Sequence, residues 1–215
     1  SYDISDLNNI QEVDRIQSNP GSSSIPHNSH VDGNFLITSY YRDGTVVHDI
    51  THPNNLIQVA SFDSSPLTGD GFDGCWGTYP YLPSGNIISS DINSGSGNNG
   101  RLLVYSRDFQ QACYLEGNVT DLSNSIALTN ATIEIINPLT TISSSTDLSG
   151  NYFSGIVYQG TYDIIFSSPG YLTDTISAIL TNGNTTVINA QLQPLVSFNT
   201  SGMVIDINGN GIPNA

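Results

Sequence analysis

The feature that most restricts what this chain can fold into is an internal repeat. Tyr2-Asp3-Ile4-Ser5-Asp6-Leu7-Asn8-Asn9-Ile10-Gln11-Glu12-Val13 recurs as His48-Asp49-Ile50-Thr51-His52-Pro53-Asn54-Asn55-Leu56-Ile57-Gln58-Val59 in constant register, so that Asp3 matches Asp49 and Val13 matches Val59. A period in the mid-forties is that of a supersecondary unit that buries its apolar face only against a neighbouring copy. Between the copies lie two strand candidates, 34–40 and 44–50, joined by Arg42-Asp43-Gly44, whose Asp-Gly is a hairpin signal. Four short strands per repeat are what one propeller blade needs. A third, degraded copy begins at Leu102-Leu103-Val104-Tyr105-Ser106.

From residue 117 the pattern changes to short apolar runs broken by turn residues at the 8–12 residue spacing of a sandwich. Candidate strands are 117–121, 132–136, 140–146, 150–157, 160–167, 171–178 and 185–191. Gly160-Thr161-Tyr162-Asp163-Ile164-Ile165-Phe166 alternates strictly enough to bury one face. The expected fold is all-β: partial propeller blades over 1–112, a Greek-key β-sandwich over 113–195, and the start of a further β module or a linking strand over 196–215. That last segment is expected to add as a strand to the edge of the sandwich or of another subunit. The polar stretch 93–100 reads as a low-complexity loop.

Composition excludes several partners. There is no Lys, only four Arg, and the net charge is −15. So acidic a surface repels phosphates, which argues against nucleic acid and anionic lipid and makes divalent cations the natural counter-ions. With charged residues at only 11%, eleven Tyr, seven Phe and many β-branched residues still supply core material. No apolar run approaches the ~18 residues of a spanning helix, so no direct membrane insertion is expected. The chain lacks an initiator Met, which reads as a processed or excised start.

Two stretches carry resemblances. His27-Asn28-Ser29-His30-Val31-Asp32-Gly33, Ser39-Tyr40-Tyr41-Arg42-Asp43-Gly44 and the segment Gly74-Cys75-Trp76-Gly77-Thr78-Tyr79-Pro80-Tyr81-Leu82-Pro83-Ser84-Gly85 resemble the LVIVD-repeat propellers of secreted bacterial proteins, of the choice-of-anchor B group. The likeness covers about residues 1–110 and accounts for about two blades, fewer than the four or so of a closed ring. Gly117-Asn118-Val119-Thr120-Asp121, Thr146-Asp147-Leu148-Ser149-Gly150-Asn151-Tyr152-Phe153 and Pro169-Gly170-Tyr171 resemble the carboxypeptidase regulatory-like domain, a transthyretin-like sandwich. That resemblance implies an accessory or spacer without catalytic residues.

Candidate sites follow, each with a bland alternative. Asp206, Asn208 and Asn210, followed by Gly211, have the oxygen-ligand spacing of a calcium loop, although the closing Glu is missing; the alternative is an Asn-Gly turn. His27, His30 and Asp32, with His48 elsewhere, suit zinc by residue type, but Pro26 and Gly33 oppose the helix that would bring both rings to one side. Histidines tying blades together by hydrogen bonds are the alternative. Asp70, Asp73, Trp76 and Tyr79 pair carboxylates with aromatics, as sugar-handling sites do. More simply, they form a long connection in which Trp76 plugs the core. Cys75 and Cys113 either bridge the two halves or stay as buried thiols. Asn118, Asn130, Asn184 and Asn199 begin N-x-S/T triplets, and Asp174-Thr175-Ile176 resembles a bacterial O-glycosylation signal at Thr175.

These features point to a non-catalytic, secreted or cell-surface protein with a structural or adhesive role, the propeller part as binding face and the sandwich as spacer. Its partners would be other surface proteins, glycans or copies of itself. The competing class is a surface hydrolase using the His27 to Asp32 stretch or the Asp70 to Trp76 loop.

Overall fold

A computed structural model describes residues 1–92, 99–196 and 202–212, and it is built from β-strands and turns. Residues 93–98 of the expected polar loop lie outside the described residues.

The first half contains a short hairpin and two antiparallel meanders. Strands β1 (Tyr2–Asp3) and β2 (Gln11–Glu12) pair with each other alone. Strands β3 (Pro26–Asp32), β4 (Phe35–Tyr40), β5 (Gly44–Asp49) and β6 (Ile57–Phe62) form a four-stranded sheet in chain order. Strands β7 (Gly74–Tyr79), β8 (Ile87–Ile92) and β9 (Arg101–Tyr105) form a three-stranded one. Chain-order meanders are what blades require, but among the described residues no ring closes. The sequence repeat is a geometric repeat as well. Tyr2 faces Glu12 and Asp3 faces Gln11, as His48 faces Gln58 and Asp49 faces Ile57. The Ser5 amide donates to the Asp3 carboxylate at 2.9 Å, as the Thr51 amide donates to that of Asp49 at 3.0 Å.

β4 and β5 are joined by a single 3-10 turn, Tyr41–Asp43, one residue longer than the two-residue Asp-Gly hairpin. The Asp43 carboxylate is held there by the Ser18 and Ser22 hydroxyls at 2.6 and 3.1 Å. The two meanders pack face to face through small polar groups. The Thr45 hydroxyl meets that of Ser89 at 2.6 Å and the Cys75 thiol at 3.4 Å.

The second half is a two-sheet sandwich. One sheet joins β10 (Cys113–Asp121) to β13 (Asn151–Ile156) on one side and to β16 (Thr185–Val187) and β17 (Ala190–Leu192) on the other. The second runs β12 (Ile142–Ser145), β11 (Thr132–Ile136), β14 (Gly160–Ser167), β15 (Asp174–Leu180). Leu115, Val119, Ile133, Ile135, Tyr152, Ile164, Phe166 and Leu192 fill the space between them. In β14 the alternation works as expected, with Ile164 and Phe166 fully buried and Thr161 and Asp163 exposed.

The single strand expected at 185–191 is two, β16 and β17, both parallel to β10. Between them the Ile188 carbonyl presses against Gly117, where a Cβ would stand 1.9 Å from the oxygen. Only glycine admits that approach.

The halves share a core and a polar joint. Ile37, Val47, Val59 and Ile87 of the meanders pack with Ala112 and Tyr114 of the sandwich edge. The buried Asp49 carboxylate accepts from the Ala112 amide at 2.8 Å, and the Asn55 side chain donates to the Ser154 carbonyl at 2.8 Å. The His52 ring lies on Tyr114, centroids 4.2 Å apart. Residues 202–212 turn back on themselves through an Ile205–Gly211 bridge and are not paired to the sandwich edge.

Candidate functional site

The histidines and aromatics singled out in sequence meet on one exposed face. Strand β3 carries an irregularity between Pro26 and Asn28, and β7 carries one between Cys75 and Gly77. The second decides where Trp76 goes. Cys75 turns inward to Thr45, so its neighbour turns outward. Trp76 is 50% exposed and does not plug the core, and the segment 74–79 expected as a loop is strand β7 itself.

His27 sits between Tyr41 and Trp76, each ring centroid 5.3 Å away, and Tyr41 in turn meets Phe72 edge-on at 5.4 Å. His30 packs edge-on against Tyr81 at 5.7 Å and Tyr79 at 6.4 Å. Tyr81 is anchored through its hydroxyl, which donates to the Val31 carbonyl at 2.6 Å. The Asn28 side chain accepts from the Ser39 hydroxyl at 2.6 Å. Beside His27 lies a hollow of about 250 Å³ lined by Asn28, Trp76, Thr78, Tyr79 and Ser90 together with the apolar Ile88 and Leu102.

Two carboxylates around this face have a cationic partner. Asp32 is ion-paired with Arg107, and Asp73 lies 3.7 Å from Arg42. Asp70 is exposed on the loop before β7. Among the described residues no three His, Cys, Asp or Glu side chains stand close enough to hold a metal ion. Rings with open faces beside neutral hydrogen-bonding groups are a binding chemistry.

The other candidates fall elsewhere. His48 is buried in β5, 1% exposed, with both ring nitrogens unpartnered, so the expected interblade hydrogen bond is not made. Burial pushes its pKa down to about 4. Cys75 and Cys113 are buried free thiols: Cys75 is held between the meanders and Cys113 lies in the sandwich core. Burial raises both thiols, that of Cys113 to about 11.

At Asp206 one carboxylate oxygen accepts the amides of Asn208 and Asn210 at 2.8 and 2.9 Å, and the other takes the Asn210 side chain at 3.3 Å. These bonds, that of the Asn210 amide foremost, lower its pKa. Thr175 is exposed on β15, whereas Asn199 lies outside the described residues.

Sequence reasoning missed a second concavity. A cleft of about 760 Å³ opens between the outer strand β6, the end of β9 and the sandwich turn at Val157 to Gln159, with Val47, Val59 and Ile87 on its floor. Its components come from segments far apart in the chain. No helix of the described residues is long and apolar enough to cross a membrane.

Residues 114–193 match the model of the carboxypeptidase regulatory-like domain. No curated protein matches the chain. Among solved structures, a Bacteroides uniformis protein put forward as carbohydrate-binding is 16% identical over 38% of this chain and 41% of its own, at a TM-score of 0.33. The minor pilin GBS52 of Streptococcus agalactiae is 13% identical over 58% of this chain and 66% of its own, at 0.36. The group B streptococcus pilus 2b backbone protein is 14% identical over 82% and 79%, at 0.33. All three are loose likenesses between β-rich chains.

Proposed function

We propose that this chain is a non-catalytic recognition and spacer protein of the cell surface, in which blade-like meanders present a binding face and the sandwich carries it. The observation behind this reading is the aromatic and histidine face of β3 and β7. Trp76, Tyr79 and Tyr81 are each about half exposed, and a monomer gains nothing by leaving such rings in water. The hollow beside Trp76 and Tyr79 has Ile88 and Leu102 among its walls with Asn28, Thr78 and Ser90 as uncharged polar groups, and Asp32 and Asp73 are ion-paired, so the ligand that fits is uncharged with an apolar face: a glycan of a neighbouring surface. A hydrolytic reading would need carboxylates free to act across a cleft, and no observation favours it.

Retention on immobilised neutral glycans and on cell walls tests the proposal. Trp76→Ala and Tyr81→Ala should each weaken binding about tenfold or more, the scale of ~1.5 kcal/mol for an exposed ring contact, without changing the fold. Unaltered binding by both variants would sink it.

Three finer elements belong to the same reading. The meanders would be blades of an incomplete propeller, Thr175 an O-glycan acceptor, and the Asp206, Asn208 and Asn210 turn a weak calcium site. Intact-mass spectrometry of protein from its own source tests the second, and calorimetric titration with Ca²⁺ tests the third.

A further inference from the structure

Resting on the glycan reading above, we propose that the aromatic face selects a linear β-1,4-linked glycan and holds it across three sugar rings, the first on Trp76 and the third on Tyr79. The geometry of strands β3 and β7 carries this. In an unbroken strand, residues three apart point to opposite faces. Trp76 and Tyr79 are three apart on β7, yet both line one hollow together with His27, and His30, three residues on from His27 in β3, meets Tyr79.

One extra residue in each strand explains it. In β3 Pro26 faces Tyr40 and Asn28 faces Ser39, so His27 is left over. In β7 Cys75 faces Asp91 and Gly77 faces Ser90, so Trp76 is left over. A bulge re-aims the side chain it carries. Here the two bulged residues lie against each other, ring centroids 5.3 Å apart, and bring Trp76 to the side where Tyr79 already stands.

The result is two exposed rings on one side of a strand, three strand steps or about 10 Å apart. In a chain of sugars joined through opposite ring positions, as in β-1,4 linkage, neighbouring rings turn opposite faces and every second ring repeats the first at that distance. Rings one and three can then lay the same apolar face on Trp76 and on Tyr79. Ring two falls over the hollow, where Asn28 and Ser90 offer hydrogen bonds and Ile88 and Leu102 an apolar wall. The Ser39 hydroxyl occupies the Asn28 side-chain oxygen, which leaves its NH2 to donate. Tyr79 is braced edge-on by Tyr81 at 5.4 Å, and Tyr81 is tied to the Val31 carbonyl. A coiled chain, such as an α-1,4-linked one, turns its third ring away from the second platform.

The test is calorimetric titration of the whole chain with β-1,4-linked glucose and β-1,4-linked N-acetylglucosamine oligosaccharides of two to six rings, against α-1,4-linked glucose oligosaccharides of the same lengths. In at least one β-1,4 series, affinity should step up about tenfold from two rings to three and then level off, with no such step in the α-1,4 series. Trp76→Ala and Tyr79→Ala should each remove the step, and Trp76→Phe and Tyr79→Phe should keep it. A wild type that binds neither β-1,4 series, binds two and six rings equally, or steps alike with the α-1,4 series would overturn the proposal, as would a step that survives both alanine variants. Retention on immobilised glycans would in each case still report the broader reading separately, and its absence would overturn both.

Discussion

His48 is the residue with most to say about solution behaviour. Its ring is sealed in β5 without a partner and titrates near 4, against an ordinary value of 6.5. Between those values the unfolded chain binds a proton that the folded chain refuses. Stability is therefore full above pH 6.5 and falls as pH drops toward 4, by about 3 kcal/mol at most. Urea midpoints at pH 7 and pH 4.5 should differ in wild type and differ much less in His48→Leu. The buried thiols make a second expectation: Cys75 and Cys113 should resist iodoacetamide in native protein at pH 8 and react fully once it is unfolded, because only the thiolate attacks.

At the scale of elements, the joint between meander and sandwich is the fragile contact. Asp49→Ala leaves the buried Ala112 amide without an acceptor, at about 1–3 kcal/mol. At Gly155 a methyl would stand 2.3 Å from Ile57 and 2.6 Å from the Cys113 carbonyl, overpacking worth about 1–3 kcal/mol. Either change should split one calorimetric transition into two as the halves uncouple. Much of this architecture was legible. The repeat announced the meanders because its Asp and Asn residues make the same local hydrogen bonds in both copies, and the alternation in β14 announced a buried face. Trp76 went the other way, since an irregularity in β7 reverses which side chains face inward and leaves no mark in composition. The joint stayed hidden for a different reason. Asp49 and Asn55 look like turn residues, and only the tertiary contact shows that the second copy of the repeat is also a docking surface.

For the whole molecule, charge sets the terms. With net charge −15 and four cations, both the fold and any contact between copies work against self-repulsion. Raising salt from about 10 to about 150 mM shortens the screening length from about 30 to about 8 Å. The melting temperature should rise with it, readable by scanning calorimetry. The sandwich has a mechanical property that its stability does not express. Its first strand, β10, lies parallel to its last, β17, with β16 continuing the same row. Tension that enters at residue 113 and leaves beyond residue 192 pulls these neighbours along their length in opposite directions. The ladder from Tyr114–Thr185 to Asp121–Leu192 is then loaded in shear, all bonds together, and does not open one at a time like a zip. A domain wired in this way should yield only at high force when stretched between its ends.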